Sequence, residues 1–151
     1  MRAERLALLL ALAGCGRGDD PSPEETVFGF VAALDRARLD PAKRRAAHDY
    51  LSARSRAALA ARASRASQLS GWELKPWDML APGRVRWRIR FDRDAMRARV
   101  AGDRAVVTAR GISGGVADVP LVREEGRWRV DLDLPPMVEG RGGADAPGTT
   151  R

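Results

Sequence analysis

The spacing of apolar residues changes along the chain, and each change marks a boundary. Leu6–Leu12 is an unbroken apolar run, LALLLAL. A run this short cannot cross ~30 Å of hydrocarbon as a helix, but it fits the hydrophobic region of a secretory signal. After a polar stretch, GRGDDPS, the period becomes helical. Ser22 can cap, Pro23 fits the first helical position and Glu25 completes a capping box. Val27, Phe28, Val31, Leu34 and Ala37 then recur at helical spacing. Asp40-Pro41 ends this helix and opens a shorter one, PAKRRAAHDYL. Ser52 caps a third, ARSRAALAARASRASQL, in which Leu51, Ala58, Leu59, Arg62 and Ala66 sketch a weaker stripe. Gly71 stops it.

Residues 72–83 follow no period. They hold Trp72 and Trp77 and close on Pro82-Gly83. The period then becomes two. In RVRWRIRF, Val85, Trp87, Ile89 and Phe91 point one way and Arg84, Arg86, Arg88 and Arg90 the other. Asp92 to Asp94 reads as a turn. Met96, Ala98 and Val100 alternate again, AGDR turns the chain into AVVTAR, and ISGG interrupts. VADVPLVRE follows, and EEGR leads into RWRVDLDL with Trp128, Val130 and Leu132 inward. From Pro135 the sequence is rich in Gly and Pro, and disorder is expected from about residue 139. Helices first and antiparallel strands after predict an α+β domain over residues 23–134, with the helices on one face of a curved sheet.

The apolar run ends on Leu12-Ala13-Gly14-Cys15. This resembles the lipobox of bacterial lipoproteins, in which a Leu and two small residues precede a Cys. The resemblance implies a signal over residues 1–14, cleavage between Gly14 and Cys15, and a lipidated Cys15 on a tether over residues 15–22. The thiol becomes a thioether to diacylglycerol, and the freed amine takes a further acyl chain such as palmitate. Two or more chains anchor stably where one does not. Gly16, not Asp, follows the Cys, which by the same resemblance favours the outer over the inner membrane, on the periplasmic side. The chain has a single Cys, so no internal disulfide forms and no free thiol remains for catalysis or metal.

The 44% hydrophobic and 31% charged fractions are those of a globular protein. Net charge is +7, and only Lys43 and Lys75 are lysines. The arginines are spread along the chain and accompany an excess of Ala, as arginine- and alanine-rich codon usage would give. Export also separates the protein from cytoplasmic nucleic acid, so no nucleic-acid partner is expected.

The order of elements resembles small nuclear-transport-factor-2-like (cone-fold, cystatin-like) lipoproteins of bacteria. The matching stretches are TVFGFVAALD, DYLSARSRAAL, GDRAVVTA and VPLVREEGRWRVDL. The resemblance covers residues 24 to about 134 and implies a sheet curved around helices to leave a cone. Some members are isomerases or dehydratases and many only bind, so the fold alone does not assign a role.

Candidate chemistry is sparse. His48 is the only His. Its neighbour Asp49 projects about 100° away on a helix, and His48 is expected toward solvent with Tyr50 or Leu51 toward the core. One His and no second Cys leave no reasonable zinc site, and no metal or cofactor is expected. Asp131 and Asp133 alternate with Arg127 and Arg129 and suit cross-strand ion pairs, with Arg84–Arg90 if the strands are neighbours. Those four arginines also form a stripe of about 20 Å at ~3.3 Å per residue, a candidate contact for anionic lipid or an acidic envelope protein. Trp72, Trp77, Met79 and Leu80 read as a lid over the core; Trp72, Trp77 and Tyr50 are alternatively candidates for a pocket rim or interface. The glycines of GISGG do not lead from a strand into a helix, so a phosphate loop is not expected. The sequence predicts a membrane-anchored binding or structural module of the envelope, with no catalytic residue assigned. The alternative is a small-molecule enzyme of the same fold, using Tyr50 or an acid in the cone.

Overall fold

The computed structural model describes residues 20–80, 91–111 and 114–137. Gly14, Cys15 and the Arg84, Arg86, Arg88 and Arg90 stripe lie outside the described residues, as does the tail from residue 138.

Helix α1 (Pro23–Leu39) starts at the expected capping box: Ser22 Oγ accepts from Glu25 N, and the Glu25 carboxylate accepts from Ser22 N. Its buried face is Thr26, Val27, Phe30, Ala33 and Ala37. The expected stripe is thus turned toward Phe30. Val31 and Leu34 pack at its margin. Phe28 is exposed and lies under the Arg93 guanidinium, 5.0 Å from the ring centroid. The expected second helix divides. Asp40 caps a 3-10 turn at Pro41–Lys43, and α2 (Arg44–His48) follows. Helix α3 (Ala53–Ser70) begins on the Ser52 cap and ends on Gly71, whose φ of 73° is cheap only for glycine. Its buried residues are Ser55, Leu59 and Ala63. The loop after it contains a 3-10 turn, Pro76–Leu80, whose Met79 and Leu80 enter the core.

Among the described residues the sheet has four antiparallel strands in sequence order: β1 (Arg97–Ala101), β2 (Arg104–Arg110), β3 (Val116–Glu124) and β4 (Arg127–Val130). Its inner face is aliphatic: Ala105, Val107, Ala109, Val119, Leu121 and Val130 are buried. α1 touches β1, β2 and β4, so one helix serves nearly the full width of the sheet. Residues 50–52 line the outer edge of β4, with Val130 N donating to Tyr50 O and Ser52 N to Val130 O. Phe91, the described end of the expected RVRWRIRF strand, bridges Gly111. β4 is shorter than the expected RWRVDLDL. Asp131 N donates to Pro120 O, but Pro120 has no N–H to return, so the ladder stops at Val130. Leu132 is nonetheless buried. The described residues are therefore α+β, with three helices on a sheet that, among them, has four strands and does not close. Among the described residues no helix is long and apolar enough to cross a membrane.

Candidate functional site

The first turn of α3 meets the end of β4 in a polar junction. Asp131 Oδ1 accepts from Ser52 Oγ at 2.6 Å and from Arg54 Nε at 3.0 Å; Oδ2 accepts from Arg54 at 2.9 Å. Ser55 Oγ lies 3.4 Å from Asp131 and accepts from Leu132 N at 2.8 Å. Both serines are buried. Beside them the Glu124 carboxylate accepts from Ala53 N at 2.9 Å, satisfying an amide that the start of a helix leaves unpaired. Burial alone would raise the Asp131 pKa. Hydrogen bonds from Arg54 and Ser52, the Arg54 charge and the Ser55 hydroxyl outweigh it, and Asp131 is held below its ordinary value.

This junction forms the floor of an open groove of about 470 Å³ lined by Ser52, Arg54, Arg104, Val122, Glu124 and Asp131. Its chemistry argues against nucleophilic catalysis. Ser52 is buried at the groove floor, and its hydroxyl donates to the Asp131 carboxylate, whose pKa is held low. The acids are occupied by Arg54 and by the start of α3. Arg104, exposed on the rim, has no carboxylate partner within ion-pair distance among the described residues.

The groove opens onto the outer face of the sheet, which is basic. Alternation places Arg97, Arg99, Arg104, Arg110, Arg127 and Arg129 on this side, with Asp118, Glu124 and Asp131. Glu124 and Asp131 already face Arg56 and Arg54. Asp118 lies 4.0 Å from Arg99 and accepts the Thr108 hydroxyl. Arg129 donates to Asp49 O at 2.6 Å.

A second cluster lies where α2 meets the Pro76–Leu80 turn. His48 is largely buried, 13% exposed, against the edge of Trp77, with ring centroids 6.0 Å apart. This corrects the expectation that His48 faces solvent. The helical run PAKRRAAHDYL breaks at His48, so the side chain turns under the Trp77 loop instead of following the exposed face of a longer helix. Nε2 is buried without a hydrogen-bond partner among the described residues, and so is Arg44 Nε. Burial lowers the His48 pKa; Asp49 opposes this, while Arg56 and Arg45 add to it. Arg44 reaches Asp78 at 3.3 Å, and Arg45 lies 5.5 Å over the Trp77 ring.

The aromatic candidates are spread across separate places. Trp77 covers His48. Tyr50 is half-buried against α1, where a Cβ on Gly29 would lie 2.7 Å from its hydroxyl oxygen. Trp72 is 77% exposed at the end of α3. The lid expectation thus holds for Met79, Leu80 and Trp77 but not for Trp72, which the Gly71 stop directs outward. Asp131 pairs with Arg54 on α3, not with a strand arginine. Gly111 N donates to Gly115 O in a tight turn between β2 and β3 that leads into no helix. Among the described residues no three His, Cys, Asp or Glu side chains gather as a metal site would need. The Ser52–Ser55–Asp131 junction was missed from sequence. Its one available signal was a second serine three residues after a capping serine. No protein-family model matches the chain, and no match is found among curated proteins or solved structures.

Proposed function

We propose that this chain is a bacterial envelope lipoprotein, held by acyl chains on Cys15, whose nuclear-transport-factor-2-like domain is a binding or structural module rather than a catalyst. The observation that carries the reading is one of placement. The Leu12-Ala13-Gly14-Cys15 box follows an apolar run, and a fully capped helix begins at Pro23 shortly after it. Such a domain has its own first helix and hydrophobic core, so an upstream anchor need contribute nothing to folding. The aliphatic inner face of the sheet and the committed acids at the Asp131 junction support binding over catalysis. By the residue after Cys15, Gly16, the destination is the outer membrane.

The test is metabolic labelling with palmitate and membrane fractionation in a bacterial host. The wild-type chain should take label and sediment with membranes. Cys15→Ser should take none, and should accumulate unprocessed or leave the membrane fraction. Absence of label in wild type, or identical labelling and fractionation of Cys15→Ser, overturns the anchor.

A further inference from the structure

The described chain begins at Asp20, and Asp20 packs at one end of the sheet. Its carboxylate lies 3.9 Å from Arg127 Nε and borders Gly126 in the β3–β4 turn. Only five residue steps separate Asp20 from Cys15, a reach of at most about 18 Å. An acyl group on Cys15 therefore stays within that reach of Asp20, the residue that faces Arg127. The outer face, to which Arg127 belongs, is about 14 Å across from β1 to β4, at ~4.8 Å per strand, so the whole of it lies on the scale of the tether.

We propose that the outer face of the sheet, through Arg97, Arg99, Arg104, Arg110 and Arg127, lies on the anionic phospholipid headgroups of the membrane that holds Cys15. The inference rests on the anchor reading for its geometry. Its chemistry rests on the face itself. All five arginines are exposed. Arg104 and Arg110 have no carboxylate within ion-pair distance among the described residues, and Arg97 donates only to backbone carbonyls, of Asp94 and Met96. The two closest acids, opposite Arg99 and Arg127, are exposed and loosely placed, at 4.0 and 3.9 Å. Val106, Pro120 and Val122 between them are half-buried, and among the described residues no aromatic side chain joins the arginines on this face. Such a surface suits a layer of mobile phosphates better than a partner with fixed shape. A lipid anchor and a basic patch together give the two signals that stable membrane residence needs.

The test uses the full chain carrying Cys15→Ser, so that acylation does not mask the face. It is sedimented with phosphatidylcholine vesicles, with or without a third of phosphatidylglycerol. The leader carries Arg2 and Arg5 as well as its apolar run, so the difference between the vesicles is assigned to the face by the face variants. Anionic vesicles should bind more protein, and added salt should abolish the difference. Arg99→Gln, Arg104→Gln and Arg127→Gln should each weaken anionic binding roughly fivefold, the worth of one arginine at such a surface. The combined face variant is compared with a control triple, Arg36→Gln, Arg38→Gln and Arg65→Gln on exposed positions of α1 and α3, which removes the same three charges elsewhere and should retain anionic binding. Equal binding to both vesicles overturns the proposal. So does equal loss in the control, which would mean diffuse charge. A face variant that changes the oligomeric state while vesicle binding persists would make the face a contact between copies, and also overturns it. The anchor reading fails or stands separately, on palmitate labelling.

Discussion

Two polar junctions fasten the helices, and they are built on opposite terms. At the start of α3, Ser52, Ser55 and Arg54 converge on Asp131, and each buried hydroxyl has a partner. Where α2 meets the Pro76–Leu80 turn, His48 Nε2 and Arg44 Nε are buried with none among the described residues. An unpaired buried polar atom costs roughly 1–3 kcal/mol, while a matched one is mildly stabilising. The first junction is therefore a fixed clasp between helix and sheet. The second is a corner held by apolar contact from Trp77, Met79 and Leu80 and by the Arg44–Asp78 pair, with two buried nitrogens left unmatched. It should open first when the fold is stressed.

The largest expected effect comes from breaking the clasp. Asp131→Ala leaves Ser52 and Arg54 without their acceptor and should cost about 2–4 kcal/mol in urea denaturation at neutral pH. A loss under about 0.5 kcal/mol, the size of an ordinary surface change, would place the clasp among surface ion pairs. Next is Gly29→Ala. The added Cβ meets three atoms of the Tyr50 ring and hydroxyl, at 2.7–2.9 Å, and Tyr50 lies on the short segment that joins the two junctions. Overpacking of this kind should cost about 1–3 kcal/mol. A second change, Tyr50→Leu, should recover part of it. Simple additivity of the two would mean that the ring moves aside freely.

Acid should separate the junctions. His48 has a folded pKa below the ordinary 6.5, chiefly through burial. The unfolded chain therefore binds the proton more readily, and stability present above about pH 6.5 falls as pH drops toward the folded value. Asp131 also lies below its ordinary 3.8, so its contribution is retained until pH falls below about 4. Two losses are expected, with the His48 corner first. His48→Phe keeps a ring against Trp77 and removes the unpaired nitrogen. It should raise stability by about 1 kcal/mol near pH 5 and flatten the upper of the two losses. An unchanged slope between pH 7 and 5 would place the titration elsewhere.

Much of this was legible in the sequence, for identifiable reasons. The Ser22–Glu25 box, the Asp40 and Ser52 caps and the Gly71 stop are local signals, and each operates as read. Period-two alternation locates β2 and β3 because half of each strand faces water; β1 is exposed at every position but Ala98, and Val100, read as one of its apolar positions, is 57% exposed. What failed were features decided at long range. Phe28 and Phe30 are equally apolar, and only the position of the sheet selects Phe30. Ser55 is polar yet buried, because its partners come from residues 131 and 132. β4 ends early because Pro120 on the next strand withholds a donor. His48 was assigned to solvent by extending a helix that breaks at that residue.

The two neighbouring tryptophans give the smallest and sharpest contrast. Trp77 is half-buried between Arg45 and His48. Trp72, five positions earlier, is 77% exposed, with Leu69 beside it in sequence at 78%. Its backbone N–H donates to Ser70 Oγ, but Trp72 has little apolar area to lose on truncation. Trp72→Ser should change stability by no more than about 0.5 kcal/mol, while removing a readily quenched part of the tryptophan emission. Trp77→Ala should do the reverse, lowering stability while leaving that quenchable part in place. If Trp72→Ser instead destabilises the protein, and the wild-type Tm rises with protein concentration, Trp72 and Leu69 are covered by another copy. The contrast between the tryptophans would then reflect assembly rather than the fold of one chain.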